Sequence, residues 1–178
     1  DVIDEGSAHR PATFYGHTKS WSMGLLGFLR EREGLRASTA ILFNHESIRR
    51  DASFVSRKIT QAVARTKRGE ACTVELQNIG ARADWSSAHD VVDALQRMGQ
   101  AATPRDYVIG SGRLKSVRDM AMAAFGHAGL DWRPHTRFAR DDEMPALVAR
   151  PSAIAQGLGW AASRPFDGWV ADMVDQEL

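Results

Sequence analysis

Short apolar runs alternate with segments of helical periodicity along the chain, and this alternation limits the possible folds more than any other feature. Strand-like runs occupy residues 37–43, 72–76, 107–109 and 137–139. Helical spacing of apolar residues covers residues 15–33, 54–68 and 87–98, and three further helices are predicted to begin at Ser116, Pro151 and Pro165. Strands that alternate with helices in this way predict an α/β fold.

The predicted helices place their apolar residues on one side. In the first helix this side consists of Trp21, Leu25, Phe28 and Leu29, and in the third of Val91, Val92, Leu95 and Met98. Ser116, followed three residues later by Asp119, resembles a capping box at a helix start. The wholly apolar run 40–43 is typical of a strand buried on both faces, so we expect an edge or face that this chain leaves uncovered there to be covered by a second copy or a partner.

Composition excludes several classes of protein. The chain has 178 residues and a formal net charge of +1, so it lacks the strong positive charge that drives binding to nucleic acid or to a membrane surface. Its one cysteine, Cys72, cannot form an internal disulfide, which fits a reducing compartment. No apolar run approaches the length needed to cross a bilayer. These properties predict a single cytoplasmic α/β unit.

The stretch STAILFNHESIRR, residues 38–50, ends a predicted strand in polar and charged residues rather than in turn residues. In open α/β sheets, ligands bind beyond the carboxyl ends of the strands, and helix N-termini there favour anions. Arg50 at the strand end and Lys58 in the next helix therefore indicate a possible site for a phosphate or pyrophosphate group. Arg65, Lys67 and Arg68, farther along that helix, fit a solvated face better.

A second candidate site lies at the start of the first predicted helix. Tyr15 and Lys19 are one helical turn apart and share a face. A neighbouring ammonium group favours the phenolate form of a tyrosine, which can accept a proton from a sugar hydroxyl while hydride leaves for a nicotinamide. The spacing is common, so by itself it is also compatible with a packed tyrosine beside a solvated lysine.

Several motifs together carry a resemblance to a known family. They are Tyr-x-x-x-Lys at a helix start, LFNHES followed by Arg49–Arg50, FVSRKI, ARADWSSAHDVV, DYVIGSG, Ser116-Val117-Arg118 and a Leu-Gly-Trp turn at residues 158–160. In these motifs the chain resembles the extended short-chain dehydrogenase/reductases and, among them, the GDP-mannose 4,6-dehydratase family. The resemblance implies part of a Rossmann-like half together with a small α/β substrate-binding portion. Residues 1–50 would end the cofactor-binding core, and residues 51–178 would mostly bind a sugar nucleotide.

The resemblance also implies roles for individual residues. Tyr15 would be the catalytic tyrosine, and Lys19 would lower its pKa and hold the nicotinamide ribose. His45 and Arg50 would contact the cofactor, which would be NADP, with NAD as the alternative. The substrate side, for GDP-mannose or a related nucleotide sugar, would be formed by Asn44, Phe54, Val55 and Lys58. For His45, and for Phe54 with Val55, simple packing is the alternative reading. No metal is implied.

The chain departs from the family pattern in ways that set further expectations. It contains no G-x-x-G-x-x-G turn and no counterpart of the catalytic Ser/Thr and Glu motif. Ile48 replaces a proline, Ala83 an arginine, Ser86 and Ser87 a Gly-His pair, and Glu143–Met144 stand where another arginine is expected. We therefore expect the chain alone to be inactive, and a homo-oligomer or another chain to supply the rest. A nucleotide-sugar epimerase or reductase, or a non-catalytic remnant that binds a partner or a nucleotide, remain alternatives.

Overall fold

The computed structural model describes residues 1–178 and contains nine short strands and six α-helices. The strands are β1 (Val2–Ile3), β2 (Ala40–Leu42), β3 (Asn44–Glu46), β4 (Val74–Asn78), β5 (Arg82–Ser87), β6 (Tyr107–Ile109), β7 (Leu114–Ser116), β8 (Thr136–Arg140) and β9 (Val148–Ala149). The helices are α1 (Phe14–Arg32), α2 (Val55–Lys67), α3 (Ala88–Gln100), α4 (Val117–His127), α5 (Ser152–Leu158) and α6 (Phe166–Asp175).

Parallel pairing dominates the sheets, as expected when helices connect the strands. β2 pairs with β6, β3 with β5, β4 with β8, and β1 with β9, all in parallel, while β7 adds to β5 antiparallel. β2 and β3 are separated only by Phe43, whose N–H donates to the carbonyl of Ile109. The chain therefore changes its partner strand, from β6 to β5, between Leu42 and Asn44. The predicted α/β fold is confirmed.

Two apolar cores lie on either side of this change of partner. The larger core packs α2, α4 and α6 against β4 and β5, with Ile59, Phe125 and Val174 fully buried. The smaller core joins α3, β6 and α5 around Trp160, whose indole N–H donates to the carbonyl of Asp90. The predicted apolar side of α4 is buried as expected, and its start is a complete capping box between Ser116 and Asp119.

A buried carboxylate links the segments around the end of β6. Asp84 in β5 is 1% exposed and accepts hydrogen bonds from the N–H and hydroxyl of Ser111 and from the N–H groups of Gly112 and Ala149. Gly110 fits tightly there, because an added Cβ would lie 2.5 Å from the Cβ of Ala149. Asp84 thus fixes β5, the β6–β7 turn and β9 relative to one another.

Two apolar surfaces are left uncovered within this chain. No residue of α1 is buried, and Trp21, Leu25 and Phe28 are all exposed, because no other element of the chain packs on that face. β2 is not covered on both faces either, since Leu42 is exposed and Ala40 is only half-buried. On α3, Val92 and Leu95 also lie at the surface.

The sequence pattern identified the six α-helices and four of the nine strands, β2, β4, β6 and β8. The strand 107–109 is confirmed at both ends, and each predicted helix is present with small shifts at its ends. β1, β3, β5, β7 and β9 were not predicted, because runs of two or three residues, and a strand with several polar members such as β5, carry little periodicity. No helix of the chain has both the length and the hydropathy needed to span a membrane.

Replacing Asp84 tests its role in the fold. We expect Asp84→Ala to lower the free energy of unfolding by about 3–5 kcal/mol, because three backbone N–H groups in a buried site lose their acceptor. Asp93→Ala is the control, since Asp93 forms only an exposed ion pair with Arg97 and should cost no more than about 0.5 kcal/mol. Urea denaturation of both variants measures the difference. Equal effects of the two substitutions would contradict a structural role for Asp84.

Candidate functional site

Tyr15 lies in the first turn of α1, where local geometry fixes the helix start. The side chain of Thr13 caps the helix and accepts the N–H of Gly16 at 3.0 Å. A Cβ on Gly16 would lie 3.2 Å from the Cβ of Pro11, so the segment entering the helix packs closely against this turn. The Tyr15 side chain is consequently directed away from the cap and is 70% exposed.

Lys19 lies beside Tyr15 on the same helix face. Its Nζ is 5.1 Å from the centroid of the Tyr15 ring, and the lysine is exposed as well. The predicted proximity of the two side chains is therefore present in the structure.

The far end of α1 is held by a bidentate ion pair. Arg30 donates from Nη1 and Nη2 to the two carboxylate oxygens of Asp106, at 2.9 and 3.1 Å, and Thr39 N–H also donates to Asp106. Burial acts to raise the pKa of Asp106, but the hydrogen bonds from Arg30 and Thr39 outweigh it and hold this pKa below its ordinary value. The pair fixes the C-terminal end of α1 beside the start of β6.

Asn44 and His45 occupy the strand end at which the chain changes partner. Asn44 lines a cavity of about 480 Å³ between the end of β2, the start of β5 and residues 145–147. The ring Nδ1 of His45 lies 3.0 Å from the carbonyl of Phe43. A carbonyl oxygen only accepts, so this contact fits the neutral tautomer with its proton on Nδ1, in which Nε2 is an acceptor for a ligand hydroxyl.

A buried polar pair that the sequence analysis did not identify lies directly after His45. Glu46 is 4% exposed, and the hydroxyl of the buried Ser56, in the first turn of α2, donates to its carboxylate at 2.5 Å. Burial raises the pKa of Glu46, while the hydrogen bond from Ser56 and the charge of Arg50 act in the opposite direction. No local signal marks this pair, since its two members are ten residues apart and belong to different elements.

Arg50 is oriented by this buried pair and by an aromatic ring. Its Nε is buried and lies 3.6 Å from a carboxylate oxygen of Glu46, and its guanidinium stacks on the ring of Phe54 at 3.7 Å from the centroid. The two terminal nitrogens have no hydrogen-bond partner within the chain. A planar guanidinium with both terminal nitrogens free is suited to bidentate binding of a phosphate.

The remaining predicted substrate residues are not gathered in one cavity. Phe54 is exposed under Arg50, and Val55 packs against the larger core, so packing explains at least part of its role. Lys58 is exposed and lines a separate cavity with residues 72–75, away from the cavity that contains Asn44.

The residues predicted for catalysis and for the cofactor also lie outside that cavity, since Tyr15, Lys19 and His45 do not line it. No cluster of three or more His, Cys, Asp or Glu side chains suited to a metal ion occurs in residues 1–178.

The Glu46–Ser56 pair predicts a pH-dependent stability. The folded-state pKa of Glu46 is raised, so its contribution to stability is largest below the unfolded-state pKa and declines as the pH rises through the folded-state value. Ser56→Ala removes a donor to the carboxylate and raises this pKa further. We therefore expect Ser56→Ala to cost about 1.5–3 kcal/mol at pH 7, and less at pH 4, in urea denaturation.

Glu46→Gln serves as the matched variant, because a glutamine still accepts from Ser56 but does not ionise. Its stability should depend less on pH between pH 4 and 7 than that of the unsubstituted protein. A cost of Ser56→Ala that is the same at both pH values would show that the charge on Glu46 does not enter this interaction.

Comparison with known proteins assigns the chain to a family. Residues 1–173 match the family described as GDP-mannose 4,6 dehydratase. The chain is 40% identical over 153 residues to GDP-mannose 4,6 dehydratase 1 of Arabidopsis thaliana, covering 84% of this chain and 42% of the relative. It is 32% identical over 189 residues to the Homo sapiens GDP-mannose 4,6 dehydratase, covering 94% and 51%. The chain thus spans about half the length of the curated relatives it matches.

Solved structures show the same fold. RMD from Pseudomonas aeruginosa, solved with NADPH, superimposes with a TM-score of 0.90 at 20% identity, covering 98% of this chain and 59% of that one. The dTDP-glucose 4,6-dehydratase of Bacillus anthracis, solved with NAD, gives 0.83 at 15% identity, covering 98% and 55%. The architecture is therefore that of the extended short-chain dehydrogenase/reductases, and from its sequence the chain belongs to the GDP-mannose 4,6-dehydratase family.

Proposed function

We propose that this chain is the catalytic-tyrosine and substrate-binding portion of a nucleotide-sugar 4,6-dehydratase that acts on GDP-mannose. The observation that carries the proposal is the pairing of Tyr15 with Lys19 on an exposed helix face, in a chain of this family. When bound, NADP would supply the acceptor for hydride from C4 of the hexose and return the hydride to C6. The product would be a 4-keto-6-deoxy sugar nucleotide.

Tyr15 would remove the proton of the 4-hydroxyl. Lys19, with its ammonium 5.1 Å from the Tyr15 ring, would stabilise the phenolate, and its other N–H donors would be available to ribose hydroxyls. Both side chains are exposed in this chain, so the cofactor, the substrate or another chain would have to cover them during catalysis. We assign no residue of this chain to the proton transfer in the elimination across C5–C6, which the family pattern gives to a glutamate.

The residues proposed for the cofactor fit a phosphate- and ribose-bearing molecule. The free terminal nitrogens of Arg50 are donors for a phosphate, and the free Nε2 of His45 is an acceptor for a hydroxyl. NADP is our choice over NAD because a fixed cation without a competing hydrogen bond favours the more anionic cofactor. The neighbour solved with NADPH and the one solved with NAD share the fold only.

On the substrate side, we propose that Asn44 binds the nucleotide sugar in the cavity at the end of β2. Phe54, Val55 and Lys58 would contact the nucleotide from the start of α2. A homo-oligomer or another chain would cover the exposed apolar face of α1, where Trp21 is 73% exposed. Monomers rarely leave such a face open to water.

A non-catalytic protein that binds a partner or a nucleotide is the second candidate. The observation that favours it is the separation of the site residues, because Tyr15 and Lys19 do not line the cavity that contains Asn44. Such a protein would bind a nucleotide through Arg50 without turning it over. An assay of product formation separates the two candidates.

Replacement of Tyr15 tests the catalytic assignment. In protein that converts GDP-mannose with NADP, we expect Tyr15→Phe to lower the rate by about 10²–10⁴-fold, because the proton acceptor is lost. Mass spectrometry of the 4-keto-6-deoxy product measures this rate. Tyr107→Phe is a matched control that removes the same atom from the only other tyrosine, which is buried in the smaller core.

The 178-residue chain by itself should form no product, since positioning of the cofactor against the sugar supplies about 7–11 kcal/mol of barrier reduction and this chain offers few cofactor contacts. Product from the chain alone that disappears in Tyr15→Phe would overturn this expectation. Product only after an N-terminal half is added would indicate a split enzyme. Turnover that survives in Tyr15→Phe would refute the role of Tyr15.

Arg50 is tested separately by binding. We expect Arg50→Gln to weaken NADP binding by about tenfold or more, because a charge-assisted hydrogen bond to phosphate contributes about 1.5–3 kcal/mol. Arg49→Gln, which changes the exposed neighbour and the same net charge, should alter the affinity by less than about twofold. Isothermal titration of both variants with NADP and with NAD gives the comparison. Similar losses in the two variants would assign the effect to general charge rather than to Arg50.

A further inference from the structure

The cavity that contains Asn44 has one cation on its lining. Its charged lining residues are Arg82 and Asp84. The carboxylate of Asp84 is fully engaged by Ser111, Gly112 and Ala149, as described above. Most of the other lining residues are apolar, among them Leu42 and Phe43 at the end of β2. A ligand that enters this cavity therefore meets a largely apolar lining with Asn44 and one basic residue, Arg82.

The guanidinium of Arg82 is already paired with a carboxylate. Nη2 of Arg82 lies 2.7 Å from Oε2 of Glu143, and both side chains are exposed, Glu143 to 70%. Exposed ion pairs contribute little net free energy, because water solvates both charges well when they separate. Glu143 therefore occupies one side of the Arg82 guanidinium, but the ion pair is weak and is easily broken.

The segment that carries Glu143 is fixed by its neighbours rather than by Glu143 itself. Asp141 pairs with Arg118, and Asp142 pairs with Arg140. The amide nitrogen of Asn78 also donates to the carbonyl of Asp142 at 3.0 Å. Glu143 is thus held next to Arg82 by an anchored backbone, while its own side chain can turn away without moving the segment.

We propose that Glu143 is a displaceable counter-ion of Arg82, and that a phosphoryl group entering the cavity takes over the guanidinium from it. A phosphate oxygen pair matches the guanidinium at least as well as a carboxylate does and carries more charge. The cavity would then accept a ligand with an apolar or ring portion beside a phosphate, and Glu143 would weaken the binding of every such ligand. The identification of that ligand as the diphosphate of a nucleotide sugar rests on the proposed function.

In this arrangement Arg82 raises the affinity of the cavity for anions, and Glu143 lowers it. Glu143→Gln keeps the shape of the side chain and removes the competing charge. Arg82→Gln removes the guanidinium itself. If Glu143 acts through Arg82, the effect of Glu143→Gln must disappear when Arg82 is also replaced, which a double-mutant cycle measures directly.

Isothermal titration of the purified protein with inorganic pyrophosphate tests the proposal. We expect Glu143→Gln to bind pyrophosphate about two- to fivefold more tightly, the factor that corresponds to releasing an exposed ion pair. Arg82→Gln should bind it more weakly, and the double variant should match Arg82→Gln. Asp131→Asn, which removes an exposed carboxylate from Arg133 elsewhere on the surface, is the control for net charge and should change nothing.

Two results would overturn the proposal. One is a gain in Glu143→Gln that Asp131→Asn reproduces, and the other is a gain that persists in the Arg82→Gln background. Because pyrophosphate binding requires no turnover, these outcomes do not depend on dehydratase activity. If the chain shows the expected cycle but forms no 4-keto product even after an N-terminal half is added, the proposed function is refuted and the role of Glu143 is left intact.

Discussion

The carboxylate of Asp84 accepts four hydrogen bonds at the point where the β2–β6 sheet and the β3–β5 sheet separate, and the shape of the cavity that contains Asn44 depends on it. β5 contributes Asp84 itself, and the bound N–H groups come from the β6–β7 turn and from β9. β6 pairs with β2, whereas β5 pairs with β3. Because the Asp84 side chain bonds to segments of both sheets, the two sheets keep a fixed separation around the cavity. A charged group is suited to this task, since it can accept several donors at once.

The chain's change of partner at Phe43 explains why the stretch after β2 is polar. Asn44 and His45 begin β3, directly after the chain leaves β6, and the exposed side chain of Asn44 lines the cavity at the end of β2. Glu46, one residue later, turns inward and binds Ser56, which fixes the start of α2 relative to β3. Arg50 then lies between a buried carboxylate and the ring of Phe54. The polar end of the strand thus orients residues of both proposed binding sites.

The sequence predicted those parts of the site whose signals are local. The Tyr15–Lys19 spacing, the capping box at Ser116 and the polar strand end are short patterns, and the structure contains each of them. Contacts between distant residues carried no such signal. Ser56 as the partner of Glu46, the four donors of Asp84 and the pairing of Arg82 with Glu143 depend on tertiary packing. The sequence correctly predicted that the apolar residues of α1 share one face of the helix, but no other element of this chain packs on that face.

The partners of the basic residues decide where an anion would bind. Between residues 49 and 68, Arg57 pairs with Glu177, Arg65 and Arg68 share Glu70, and Lys67 donates to the carbonyl of Ala128. The acidic C-terminal part of the chain therefore neutralises part of this basic segment. The terminal nitrogens of Arg50 have no such partner and are held in place by stacking. An anion gains most from a cation that is oriented and whose terminal nitrogens contact no other anion, because no existing contact must be broken and little side-chain entropy is lost. By the same reasoning Arg82, whose Nη2 already contacts Glu143, is the weaker site until Glu143 is displaced.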